Sequence, residues 1–162
     1  MCLKSQSTIL GLIFLIFSFG CSNSPNLSTP EKIGEKDRTG LITGNRAARM
    51  INKMHRSSVA GDDNIIAEYG KDKKDLLYIT HYADQKNAKE AFDLMVEKMA
   101  AAKNSPFYHL RPLGRYQNQA FITLGMGAVH YIYLSGANLL WLQTYQSFGD
   151  KLPARLLKLY PI

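Results

Sequence analysis

The chain is poor in the residues that usually announce chemistry. Of its 162 residues only two are cysteine, Cys2 and Cys21, and one is tryptophan, Trp141. The four histidines, His55, His81, His109 and His130, stand in none of the HxH, HxxxH or HExxH spacings. A metal site would therefore have to be assembled in space from distant parts of the chain. No serine is framed as G-x-S-x-G and no carboxylate pair has a recognisable acid–base spacing, so nothing predicts an enzyme. Gly125-Met126-Gly127 is the one glycine pair with motif-like spacing, but no third glycine follows and the next residues read as a strand. A phosphate loop would open a helix there, so the segment predicts a tight turn. Long apolar runs are scarce too. The longest, Ile9 to Phe19, is about 11 residues, roughly half of the ~20 needed to cross a bilayer as a helix.

That run has a positive charge, Lys4, before it and small residues, Ser18 and Gly20, at its end. Together these predict an export signal over residues 1–20 that is removed. Cys2 leaves with it. An exported chain then keeps a single cysteine, Cys21, and forms no internal disulfide.

Ser18-Phe19-Gly20-Cys21, followed by a polar stretch with two prolines, resembles the bacterial lipoproteins. In these the signal ends in a short box of apolar and small residues directly before the cysteine that becomes the new N-terminus. The resemblance covers the signal and its cysteine only. It implies a diacylglycerol on the Cys21 sulfur and a further acyl chain, such as palmitate, on the freed amine. Each buried methylene contributes about 0.8 kcal/mol, so two or more chains hold a protein at a membrane where one holds it marginally. Ser22, in place of an acidic residue, resembles the sorting pattern for the inner leaflet of the outer membrane, facing the periplasm. The membrane is thus the partner implied, through the lipid on Cys21.

Charge agrees with an envelope address without naming a ligand. The net charge is +7, and Lys4 is the only charged residue lost with the signal. Basic residues are scattered among acids, with Lys71-Asp72-Lys73-Lys74 as the one cluster. This predicts a solvated basic surface near a membrane, and export argues against nucleic acid as a partner.

Residues 21–40 are poor in apolar side chains and carry no period, which predicts a flexible tether after the lipidated cysteine. Residues 41–162 then form one domain of common size. Thr43 can cap a helix to about Arg56, with Ala47, Ile51, Met54 and His55 on one face. Ile65–Tyr69 and Leu76–Tyr82 read as a hairpin inside a sheet, because both faces are partly apolar. Asp84 caps a helix, Gln85–Lys103, whose Ala88, Ala91, Phe92, Met95 and Met99 follow the helical repeat. Four strands follow, 111–116, 119–124, 128–134 and 138–145, joined by short turns into an antiparallel meander. A last short helix follows Asp150. The fold class is α+β: an antiparallel sheet of about six strands in the order α-ββ-α-ββββ-α, with the helices on one face.

The remaining candidates are side chains for a ligand face. His81 and His130 lie on strands beside apolar neighbours and are able to meet across the sheet. Tyr131 and Tyr133 alternate away from His130, Trp141 lies on the next strand, and Met126 offers a thioether. If a helix covers the ring-bearing face these residues are core; if not, they line a groove. The sequence therefore predicts a membrane-anchored envelope lipoprotein that binds or assists, with an envelope protein as the possible partner and no cofactor. The alternative is a periplasmic protein holding a small molecule, metal or haem near His130, and the third reading is an envelope hydrolase.

Overall fold

The computed structural model describes residues 27–55, 58–72 and 74–162; the segment expected as an export signal, Cys21, Arg56, Ser57 and Lys73 lie outside the described residues. The chain is α+β, with an antiparallel sheet curled into a half-barrel and three helices. The sheet has eight strands where about six were expected. They are β1 (Lys32–Ile33), β2 (Lys36–Thr43), β3 (Asp63–Tyr69), β4 (Asp75–His81), β5 (Phe107–Pro112), β6 (Ala120–Gly125), β7 (Ala128–Ser135) and β8 (Asn138–Thr144). Their order across the sheet is β1-β2-β3-β4-β8-β7-β6-β5. The helices are α1 (Gly44–Lys53), α2 (Gln85–Ala101) and α3 (Ala154–Leu159), so the chain order is ββ-α-ββ-α-ββββ-α.

The two added strands come from the stretch expected as tether. β2 pairs along its length with β3, Leu41 opposite Ala67 and Thr43 opposite Ile65, and β1 folds back on β2. Most β2 side chains are exposed or half-buried, so the strand is held by its backbone ladder more than by its side chains. In β1, by contrast, Ile33 is fully buried. Ahead of β1, the Pro30 carbonyl accepts the Tyr69 hydroxyl at 2.9 Å and the Arg38 guanidinium bonds both oxygens of Thr29.

The hairpin and the meander follow the alternation of their residues. β3 and β4 pair from Asp63–His81 to Tyr69–Asp75, and β5 to β8 are consecutive neighbours. The turn between β6 and β7 is Met126-Gly127, both at positive φ (52° and 75°), the geometry whose twist suits a two-residue hairpin. β5 begins earlier than its sequence suggests. A bulge between Tyr108 and Arg111, with His109 at φ 56°, interrupts its ladder, and residues 114–116 form a 3-10 turn instead of strand.

Helices cover both faces of the sheet, not one. Leu77, Ile79, Tyr131, Tyr133, Leu140 and Leu142 point to an inner face, packed with Leu156 of α3 and Ile33 of β1. On the outer face α1 packs Ala47 and Ile51 on Ile66, and α2 packs Ala88 and Phe92 on Ile132 and Leu134. The division follows from the period of two: side chains one residue apart in β4, β7 and β8 point to opposite faces, and both need cover. Asp84 caps α2, accepting the Asn87 amide at 2.8 Å, whereas Thr43 precedes α1 without a side-chain cap. No described helix is long and apolar enough to cross a membrane.

Candidate functional site

The six candidate residues fall into four environments. Tyr131 and Tyr133 lie on the inner face, fully buried in the main core beneath α3. The Tyr131 hydroxyl is tied to the loop after β8, accepting the Phe148 amide at 2.8 Å and donating to the Gly149 carbonyl at 3.2 Å. The Tyr133 hydroxyl is buried without a hydrogen-bond partner among the described residues, and burial pushes its pKa upward, with Tyr160 adding to the shift.

His130 and Trp141 face the other way. The indole N–H of Trp141 donates to His130 Nδ1 at 2.9 Å, and His130 Nε2 lies 3.0 Å from the Gly125 carbonyl. An indole N–H only donates and a carbonyl only accepts, so the imidazole is neutral with its proton on Nε2. Phe107 closes the cluster, its ring 5.0 Å from His130 and 5.3 Å from Trp141. Burial holds the His130 pKa below its ordinary value, partly offset by the bond to Gly125. With both ring nitrogens engaged and 1 % exposure, His130 as placed offers no lone pair to a ligand.

Met126 stands at the tip of its turn, exposed to solvent. His81 does not meet His130. Both strands flank β8, but His81 pairs with Asn138 at one end of it and His130 with Gln143 towards the other.

What His81 joins is a row of polar residues that the sequence did not reveal as a group. Asp63, His81, Asn138 and Ser135 occupy one register line across β3, β4, β8 and β7. By the period of two they share the inner face with Ile65, Ile79, Leu140 and Tyr133, the apolar line beside them. The row is the rim of the half-barrel. Asn138 Nδ2 donates to the Ser135 carbonyl at 3.0 Å, which fixes the amide with Oδ1 towards His81 Nδ1, 2.9 Å away. His81 Nδ1 is therefore the donor in this bond, and the residue is half-exposed. The Ser135 hydroxyl donates to the Pro161 carbonyl at 2.7 Å and so is not poised toward His81. Asp63 accepts the Asn64 amide with one carboxylate oxygen. Beside the rim a hollow of about 270 Å3 is lined by Gln85, Lys89, Gln119 and Gly136.

Comparison with protein-family models, curated proteins and solved structures finds no match. The site must be read from its own chemistry. Among the described residues no three histidine, cysteine, aspartate or glutamate side chains come together as a metal site. The rim offers one imidazole, one carboxylate and one amide, a set suited to hydrogen-bonding a polar partner. Only His81 of this row carried a signal in the sequence. Its partner Asn138 lies 57 positions away, at the start of the strand expected over 138–145.

Proposed function

We propose that this chain is an exported lipoprotein, held in the cell envelope by acyl chains on Cys21, that works by binding and not by catalysis. Its address is the periplasmic face of the outer membrane, and its partner is another envelope component. The sequence before Leu27 supplies the anchoring half of this reading. The binding half rests on one observation: the ring side chains nearest a ligand face are engaged by the protein itself, His130 bonding Trp141 and the Gly125 carbonyl and Tyr131 bonding the loop after β8. Recognition is left to the surface, with the polar rim as its most specific feature.

Purification from membranes followed by intact-mass and metal analysis tests both halves. The expected product starts at Cys21, carries acyl mass and holds no stoichiometric metal or haem, and Cys21→Ser moves to the soluble fraction. An uncut polypeptide in the soluble cell fraction overturns the anchoring, and a stoichiometric bound cofactor overturns the binding half in favour of the small-molecule alternative.

A further inference from the structure

A curled sheet that does not close has two margins, and here they differ. β5, at one margin, is blunted against further pairing. It carries the bulge between Tyr108 and Arg111, the left-handed His109, the charge of Arg111 and, in Pro112, a residue without an N–H. At the other margin β1 covers only the start of β2. Lys36 and Asp37 pair with it, and the Arg38 amide donates to the Glu31 carbonyl at 2.8 Å. Thr39 bulges from the ladder, and residues 40–43 then pair regularly with β3 alone. In an antiparallel ladder alternate residues turn their N–H and C=O groups to opposite sides. Half of the backbone groups of residues 40–43 therefore face outward, with no strand among the described residues to take them.

The side chains on this margin are those of a strand that pairs. Residues 39–43 read Thr-Gly-Leu-Ile-Thr, with neither the charge nor the proline that guards an open edge. Ile42 packs against the cluster beneath α1. Leu41 lies on the inner face opposite fully buried Ala67, yet it is 50 % exposed on the open side.

We infer that the open margin of β2 joins a second copy of the chain, the two β2 strands pairing antiparallel about a two-fold axis through Leu41. The inference goes beyond the function proposed above and does not depend on the anchoring. A two-fold axis between antiparallel strands stands perpendicular to the sheet, so each residue meets one from the same face. Gly40, Leu41 and Ile42 are the centres available. Only Leu41 sets an exposed apolar side chain against another, with Gly40 beside Ile42 and Thr43 beside Thr39. The next residue out, Arg38, falls beside Gly44, where α1 leaves the sheet, so no like charges face each other. The margin has no charge with which to select a foreign strand, whereas a copy brings the matching leucine. The seam is short, so the pairing is reversible and rises with concentration.

Cysteine cross-linking tests the seam. Directly opposite residues of an antiparallel pair have Cα atoms about 4.5 or 5.5 Å apart, within the ~4.4–6.8 Å span of a disulfide. Full-length Leu41→Cys is oxidised with copper phenanthroline in the producing cells, beside Leu94→Cys on α2, whose leucine is equally exposed. The parent chain is the blank for its own cysteines. Leu41→Cys is expected to give a band at twice the chain mass at least about fivefold stronger than Leu94→Cys gives. Purified parent should sediment with a mass rising towards two chains as concentration increases. Leu41→Lys, which sets two ammonium groups against each other on the axis, should stay at one chain with an unchanged circular dichroism spectrum. Equal cross-linking of the two cysteine variants, or a parent mass of one chain at every concentration, overturns the inference. Cross-linking of Leu41→Cys to a polypeptide of another mass gives the margin to a foreign strand and overturns self-pairing as well.

Discussion

At the scale of single residues, two buried polar side chains have opposite consequences. His130 is held neutral, with Trp141 donating to one nitrogen and Gly125 accepting from the other. Protonation would turn Nδ1 into a donor facing the indole N–H. Its folded pKa lies below the ordinary 6.5, so between these values the unfolded chain binds the proton that the folded one refuses. Stability from this group is full above the unfolded value and lost as pH falls below about 6.5. Urea midpoints at pH 7.5 and pH 5.5 should show the loss, and His130→Gln should reduce the difference between them. Trp141, the only tryptophan, reports it through its fluorescence. An unchanged midpoint across this range would show that the imidazole accepts its proton in place. Tyr133 is the converse. Its hydroxyl lies in the main core without a partner among the described residues, so its desolvation is uncompensated there. Tyr133→Phe keeps the ring and removes that cost, and should raise stability by about 1 kcal/mol by urea unfolding. A loss of stability instead would mean the hydroxyl has a partner in solution.

At the scale of elements, the ends of three strands are joined by one carboxylate. Asp75, the first residue of β4, is fully buried and accepts from Lys36 at 2.7 Å on β2, from the Thr144 hydroxyl at 2.8 Å on β8, and from the Tyr145 amide at 3.0 Å. Asp75→Ala leaves those donors facing a cavity, although Lys36 is partly exposed and can turn to water. The expected loss is roughly 3 kcal/mol, the lower end for breaking a buried ion pair, read as a shift in the urea midpoint. A shift below 1 kcal/mol would make the contact incidental. These elements also show what a sequence can display. β3, β4, β7 and β8 alternate between two buried faces, and α2 carries an apolar stripe behind an aspartate cap, so pattern and structure coincide. β2 is Lys-Asp-Arg-Thr-Gly-Leu-Ile-Thr, with half-buried and exposed side chains, and its evidence is a backbone ladder to β3 that no side-chain pattern announces. β5 is similarly exposed and bulged, which is why its start was displaced. The rim was illegible for another reason. Its four members share a face only once the register of four strands is known, and their spacing in sequence carries no trace of it.

At the scale of the molecule, a curled sheet that does not close leaves its inner face needing a cover, and two pieces of chain supply it. One is α3 with Leu156; the other is the N-terminal stretch from Leu27 to Ile33, laid along the same core. Composition gave that stretch to a tether, and on that reading a chain beginning at Lys36 would unfold like the parent. The structure demands otherwise. Removing residues 27–35 uncovers Ile33's place in the core and deprives Tyr69, Tyr160 and Arg38 of their bonds. Burial already drives the Tyr69 pKa up to about 12, a measure of how far this region is withdrawn from water. An Ile→Ala change at a fully buried site costs about 2–5 kcal/mol and each lost hydrogen bond about 1 kcal/mol. The deletion should then take more than about 5 kcal/mol from a domain whose total is of order 5–15 kcal/mol. A chain starting at Lys36 is expected to bind a hydrophobic dye at room temperature and to melt broadly or not at all. Ile33→Ala alone should lower Tm by about 5–15 °C at 2–4 °C per kcal/mol. Unfolding curves for both variants that overlay the parent would return residues 27–35 to the expected tether.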